Sequence, residues 1–301
     1  MKRFLDFVEI QTKLATFFPF LLALAYAFYT TGTINLYSTL IYIPAALLID
    51  MSITAINNHF NHREEGREPH YSHKAGLVII CLMILISAAI GLYLVYLHGV
   101  VLLMAGGLCF VVGICYTLGP MPISKSVFGE AFAGVFAAGM VMFIVLTIND
   151  PAFLPVSLTY ISGDIRLTID INIRQLLSFA LVALPATLCV SNILLANNIC
   201  DEEADRSFRY TLVHHIGSQK ALRLFAVLYC GAYLAIVAAS LLGLLPLWCL
   251  LTLLTAIPVQ KNVRIFLDKQ VKSETFVLSV KNFTLIAMAL TFCIFIGGIL
   301  K

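Results

Sequence analysis

Charged side chains are scarce in this chain: Asp, Glu, Lys and Arg make up 12 % of its 301 residues, against 60 % hydrophobic. With a mean hydropathy of +0.96, that balance excludes an ordinary water-soluble domain. The eight cysteines (Cys81, Cys109, Cys115, Cys189, Cys200, Cys230, Cys249, Cys293) include no CxxC pair and fall in or at the ends of apolar runs. They read as small packing residues, which argues against a zinc site or a disulfide framework. A net charge of +3, summed over separate loops, gives no basis for nucleic-acid binding. A cleavable signal peptide is also missing from the reading. Met1-Lys2-Arg3 leads into a mixed segment holding Asp6, Glu9 and Lys13, with no small-residue cleavage signature before the first apolar run.

Long apolar runs fill the rest. About 18 or more such residues are enough to span a bilayer as a helix. Nine runs qualify, at roughly 15–31, 34–56, 75–96, 98–118, 127–148, 175–197, 221–243, 244–260 and 276–299. Their connections are short, so neighbours are expected to run antiparallel. With a cytoplasmic N-terminus, nine spans place 57–74, 119–126, 200–220 and 261–275 on that same side. Those stretches, the N-terminal segment and the helix mouths at Arg223 and Lys281 hold 16 of the 19 Lys and Arg; Arg166, Arg174 and Lys301 fall outside. A miscount by one helix would destroy this bias. The expectation is a single all-α domain over 1–301, a multi-pass protein of the cell's inner (cytoplasmic) membrane. Its N-terminus is placed inside and its C-terminus outside, with nine transmembrane helices bundled around a lipid-accessible cavity. The outer loop 149–174 differs in pattern. Residues 156–161 and 165–173 alternate polar and apolar about Ser162-Gly163-Asp164, which reads as a small β-hairpin.

Two polar stretches interrupt the apolar runs, after the second and the sixth span: Asn57-Asn58-His59-Phe60-Asn61-His62-Arg63-Glu64-Glu65 and Asn197-Asn198-Ile199-Cys200-Asp201-Glu202-Glu203-Ala204-Asp205-Arg206. Asp201 and Asp205 are four residues apart, so a helix stacks them on one face, with Asn198 three residues before Asp201. Two carboxylates and an amide oxygen make a hard, all-oxygen site suited to Mg²⁺ shared with substrate phosphates. The competing reading is a solvated acidic helix end paired with Arg206 and Arg209. In the first stretch Asn57, Asn61 and Glu65 share a four-residue spacing; its asparagines offer oxygens without charge. Two HxxH pairs, His59/His62 and His70/His73, could bind a transition metal, or simply be solvated at the membrane surface.

Other polar groups are placed by the spans. Lys13, Arg63, Arg67, Lys74, Lys125, Arg206 and Arg209 sit at cytoplasmic helix mouths, either as phosphate clamps or as topology signals and lipid head-group contacts. Asp50, Glu130, Asn192 and Asn282 lie in or near spans, where they line a cavity or bond helix to helix. Tyr116-Thr117-Leu118-Gly119-Pro120-Met121-Pro122-Ile123 closes the fourth span with a Gly-Pro stop, and Gly129-Glu130 opens the fifth.

Together these stretches resemble the UbiA superfamily of intramembrane aromatic prenyltransferases. Its N-D-x-x-D-x-x-x-D motif is matched by Asn57-Asn58-x-x-Asn61-x-x-x-Glu65, and its D-x-x-x-D motif by Asp201 and Asp205. The branch acting on 1,4-dihydroxy-2-naphthoate in menaquinone synthesis is similar in its Y-T-G-G-P-x-P turn, here Tyr116–Pro122, and in its N-N-I-R-D stretch, here Asn197–Asp201. Asn58 and Asn61 depart from the motif's aspartates, His59 from a tyrosine, and Arg209-Tyr210 from a Lys-Arg pair.

The resemblance implies transfer of a polyprenyl group from an isoprenyl diphosphate to an aromatic acceptor, dihydroxynaphthoate, with decarboxylation to demethylmenaquinone. It implies two Mg²⁺ ions held among Asn57, Asn61, Glu65, Asn198, Asp201 and Asp205, with Asp201, Asp205, Asn57 and Asn61 as catalytic groups. Arg63, Lys74, Arg206 and Arg209 are the candidates for the diphosphate. Lys13, Tyr116, Lys125 and Glu130 are the candidates for the acceptor, Lys13 or Lys125 meeting its carboxylate. Two rivals stay open: a homologue that binds prenyl lipid without turning it over, and a membrane transporter.

Overall fold

Apolar length alone accounts for the frame. In the computed structural model, which describes residues 2–62, 68–153, 156–161, 164–169 and 172–301 (backbone only at 11, 156–161 and 164–169), nine helices are long and apolar enough to cross a membrane. We label them α1 (Leu14–Thr31), α2 (Leu36–Phe60), α3 (His73–His98), α4 (Val100–Thr117), α5 (Gly129–Asn149), α6 (Ile173–Cys200), α7 (Ser218–Leu241), α8 (Leu247–Asp268) and α9 (Phe276–Ile299). Local chemistry sets their ends. Asn35, Ser72 and Asn172 accept hydrogen bonds from the backbone N–H three residues on, capping α2, α3 and α6. Gly99, with φ of 83°, is the whole connection between α3 and α4, a conformation that a side chain would strain.

Packing closes the helices into one bundle. α1 lies against α9 and α5, α2 against α3 and α4, and α6 against α7, α5 and α9. The core holds Phe225 and Phe266, whose ring centroids are 4.4 Å apart, with Leu22, Met142 and Ile236 also fully buried. Asn192 and Asn282 prove to be helix-to-helix bonds. Asn192 Nδ2 donates to Phe225 O at 2.9 Å, and Asn282 Oδ1 accepts from Asn262 Nδ2 at 2.8 Å. Neither lines the large cavity. Beyond α5 two strands, Val156–Ile161 and Asp164–Ile169, pair antiparallel with Val156 opposite Ile169.

Two features depart from the span reading. α5 contains a π-helical turn, Val135–Met140, where α5 meets α1 and α6. α8 runs on to Asp268, well past residue 260, because Val259, Val263 and Phe266 continue an inward stripe while Lys261, Arg264 and Asp268 face outward. The polar loop expected at 261–275 therefore shrinks to 269–275.

α5 and α6 approach so closely that Gly134 has no room for a side chain. A Cβ there would lie 2.1 Å from Ser191 Oγ and 2.4 Å from the Thr187 carbonyl oxygen. The hydroxyl can rotate but the carbonyl cannot. Gly134→Ala is expected to cost about 1–3 kcal/mol, read as a lower thermal-inactivation midpoint in detergent; an unchanged midpoint would mean the two helices are free to separate.

Candidate functional site

α2 and α6 each carry their polar stretch at the same end of the bundle, and those ends open into one cavity of about 1190 Å³. Leu94, Leu102, Phe110, Phe132, Phe136 and Ile144 line its apolar body. At the polar end the wall includes Asn57 from α2, Asn197 and Asp201 from α6, and Asp205, Phe208 and Arg209 from the segment after it. Glu9 and Thr12 enter from the N-terminal segment, and Lys272 and Phe276 from the loop before α9. Among the described residues the charged side chains of this wall are Glu9, Asp50, Asp201, Asp205, Arg209 and Lys272. Carboxylates outnumber basic groups two to one, a surplus that favours cations.

The second stretch is built as two helices hinged at Asp201. Asp201 ends α6, and a single turn, Glu202–Asp205, follows it. The Asp205 N–H donates to Asp201 O at 2.8 Å, so both carboxylates keep the one-turn spacing read in the sequence. Asp205 is buried; its Oδ1 lies 3.6 Å from Arg209 Nε, and its Oδ2 has no hydrogen-bond partner among the described residues. Burial pushes this carboxyl above the ordinary carboxylate range; Arg209 pulls it down and Asp201 pushes it up. Asp201 is paired with the Lys272 ammonium. Lys269 and Glu274, 2.6 Å apart, together with the Thr275 hydroxyl bonded to both Val271 N and Val271 O, brace the turn that presents Lys272.

The first stretch is arranged differently. Asn57 lines the cavity, and its Oδ1 accepts from Asn61 Nδ2 at 2.9 Å. Asn61 is the residue that ends α2 and is itself buried. Asn58 turns away from Asn57, donating to Phe7 O and to Glu9 Oε1, each at 3.0 Å. Glu9 therefore brings a carboxylate beside this stretch, from a backbone position at φ 46° that a non-glycine residue rarely adopts. Arg63 and Glu65 lie outside the described residues. His59 Nε2 and His73 Nδ1 are 3.1 Å apart, and no group of three or more His, Cys, Asp or Glu placed to hold a metal ion occurs among the described residues.

Other expected site residues are placed elsewhere. Lys13 is not open to an acceptor carboxylate. Its ammonium donates to Asp50 O (3.2 Å), Asp50 Oδ1 (3.0 Å) and Thr54 Oγ1 (2.6 Å), which uses its three protons. Asn198 is buried and absent from the cavity wall; its Nδ2 donates to Glu130 Oε1 at 2.8 Å. That bond fastens α6 to α5, and it leaves Asn198 Oδ1 and Glu130 Oε2 buried without a hydrogen-bond partner among the described residues. Lys74 and Arg206 are exposed and outside the wall. Tyr116 lines the cavity, whereas Lys125 does not; the Lys125 carbonyl accepts from Tyr210 N at 3.0 Å, tying the turn after α4 to the second stretch.

Sequence reasoning missed Lys272, Glu9 and Asn197 as site groups. Asn197 had a signal, being four residues before Asp201. Glu9 and Lys272 had none, since each arrives from a segment remote in sequence.

The model of the UbiA prenyltransferase family matches residues 16–287. The 1,4-dihydroxy-2-naphthoate octaprenyltransferase of Bacillus subtilis (strain 168) is 26 % identical over 186 residues, 62 % of this chain and 53 % of that protein. The match thus spans about half the length of that relative. Among solved structures, one of digeranylgeranylglyceryl phosphate synthase aligns with a TM-score of 0.66 at 15 % identity, covering 100 % of this chain and 99 % of that one. A UbiA homolog from Archaeoglobus fulgidus bound to GPP and Mg²⁺ aligns with a TM-score of 0.65 at 11 % identity, covering 97 % and 99 %. At such identities the structural likeness is one of fold.

Proposed function

The chain belongs to the UbiA prenyltransferase family, and on that premise we propose that it transfers a polyprenyl group from an isoprenyl diphosphate to an aromatic acceptor in a Mg²⁺-dependent reaction. The acceptor we favour is 1,4-dihydroxy-2-naphthoate, prenylated with loss of CO₂ to give demethylmenaquinone; the Bacillus subtilis relative carries that acceptor in its name. The observation that carries the reading is the pairing of Asp201 and Asp205 with Lys272 and Arg209 at the polar mouth of a deep apolar cavity. The same reading puts the mouth on the cytoplasmic side of the inner membrane, with the N-terminus inside and the C-terminus outside.

The residues fit a divalent cation. Asp205 Oδ2 is buried in the wall without a hydrogen-bond partner among the described residues, and Asp201 and Asn197 supply further oxygens beside it. Bound Mg²⁺ would neutralise charge that develops on the departing diphosphate. Arg209 and Lys272 would hold diphosphate oxygens by charge-assisted hydrogen bonds. The apolar body takes the prenyl tail and keeps water from the allylic carbon. The allylic C–O bond breaks with its electron pair on the diphosphate, and a ring carbon of the acceptor forms the new C–C bond.

The reading is tested with purified protein in detergent, Mg²⁺, geranyl diphosphate and dihydroxynaphthoate, following pyrophosphate and prenylated product together. A second reading, a prenyl-lipid binder without turnover, is favoured by Asn58 and Asn61, whose amides are committed to Glu9, Phe7 and Asn57. Lipid binding without pyrophosphate across several aromatic acceptors would support it.

Two smaller effects are expected. Glu9→Gln removes the carboxylate beside the first stretch and should raise the Mg²⁺ concentration for half-maximal activity by about three- to tenfold; no change would place Glu9 in a purely structural role. Asp205 must also lose its proton to hold a cation. Because its carboxyl is raised by burial, Mg²⁺ affinity should fall as pH drops through that raised value, at a higher pH than for an ordinary aspartate. Mn²⁺ binding followed by electron paramagnetic resonance across pH reads this directly.

A further inference from the structure

Asp50 has a placement that the diphosphate chemistry does not use. It lies on α2, within the apolar span, and lines the cavity. Seven residues separate it from Asn57, so both project from nearly the same helix face, with Asp50 about 10 Å deeper. Its side chain is held from two directions: Lys13 Nζ donates to Oδ1 at 3.0 Å and the Thr16 hydroxyl donates to Oδ2. Thr54 then takes another of the Lys13 protons. Lys13 is closed off, at 6 % side-chain exposure, whereas Asp50 keeps 26 %. An ion pair at this depth is a poor way to gain stability and marks a group facing a ligand. What the cavity meets there is the Asp50 carboxyl group with the Lys13 side chain behind it. Such a surface accepts hydrogen bonds and repels anions.

From this we infer that Asp50 is the acceptor subsite: it binds a hydroxyl of a hydroxylated aromatic ring and takes that hydroxyl's proton as the ring is prenylated. The inference rests on the proposed prenyl transfer and adds where the acceptor sits and how it is activated. The diphosphate occupies the polar mouth and its tail runs inward, so the allylic carbon lies on the inner side of the Asn57 level. A ring whose hydroxyl reaches Asp50 presents its neighbouring carbon from that depth. When this carbon bonds to the allylic carbon, the diphosphate leaves with the C–O electron pair and the hydroxyl proton passes to Asp50, leaving a ring ketone. For an acceptor carboxylated at the attacked carbon, the C–CO₂⁻ bond then breaks. Its electron pair restores the aromatic ring, and the oxygen recovers the proton from Asp50. No oxidant or reductant is needed. The acceptor's carboxylate must point away from Asp50, toward the basic groups of the mouth.

The test compares wild type, Asp50→Asn and the charge-balanced Lys13→Gln/Asp50→Asn double variant in detergent. Two acceptors are used: 1,4-dihydroxy-2-naphthoate and its 1-methyl ether, which lacks the hydroxyl beside the carboxylated carbon. Acceptor binding and binding of geranyl diphosphate with Mg²⁺ are measured separately by calorimetry. Wild type should bind the ether at least tenfold more weakly than the diol. In both variants the diol should fall to the ether's level, the ether should lose nothing more, and geranyl diphosphate binding should hold. Additive losses from mutation and methylation, or undiminished diol binding in the double variant that removes both charges, would overturn the inference. Unfolding of the single variant is controlled by the double variant's retained geranyl diphosphate binding. If wild type releases no pyrophosphate with any acceptor, the transfer reading fails first; if it turns over and the variants match it, only the Asp50 assignment fails.

Discussion

Asp205→Asn should lower prenyl transfer by about a thousandfold while the protein remains folded. Asparagine keeps the size and the polar oxygen at this buried position, and it gives up the charge that a cation there requires. The buried Oδ2 without a partner among the described residues is the atom whose loss matters. Burial already disfavours its charge, so the apo protein should tolerate a neutral replacement well. The variant is therefore expected to be as heat-stable as wild type or slightly more so, and to lose the stabilisation that Mg²⁺ with a prenyl diphosphate gives wild type. Stability retained with activity lost identifies a functional carboxylate. A stable variant that keeps full turnover would remove Asp205 from the reaction. Asp201→Asn should also lose activity; it leaves Lys272 without its carboxylate, as Asp205→Asn leaves Arg209.

Lys272→Met should produce two shifts of opposite sign. The Lys272 ammonium pairs with Asp201, at a carboxylate that a divalent cation would share. Its removal frees the carboxylate, so less Mg²⁺ should be needed for half-maximal binding. The same ammonium is one of two basic groups among the described residues of the wall, so prenyl diphosphate should bind about tenfold more weakly, the value of one charge-assisted hydrogen bond after allowance for its half-exposed position. Lys272→Arg should restore diphosphate binding and with it the higher Mg²⁺ requirement. Calorimetric titrations of Mg²⁺ and of prenyl diphosphate, run separately, resolve the two. Shifts in the same direction would point to a distorted loop 269–275 rather than to a lost charge.

The histidine pair shows how a legible pattern can mislead. Two HxxH spacings suggest metal binding, yet the hydrogen bond that forms joins His59 to His73 across two helices, and His62 Nδ1 turns back to the His59 carbonyl oxygen at 2.8 Å. Spacing along the chain says which groups share a helix face. It does not say what that face meets.

Some properties follow from local order alone, and these the sequence determined by itself. Apolar run length set nine spans, because a bilayer leaves backbone groups no partner but their own helix. The four-residue spacing of Asp201 and Asp205 set their common face, because an α-helix repeats every 3.6 residues. The motifs set the family. Tertiary structure decided which groups share the cavity. Glu9 and Lys272 reach it from segments 192 and 71 residues from Asp201. Lys13 is held by Asp50 and Thr54 of α2, and the Asn198 amide nitrogen by Glu130 of α5. Each outcome is a competition among hydrogen-bond partners and charges in a medium that leaves few polar groups unpaired, and that competition is settled only when the helices pack.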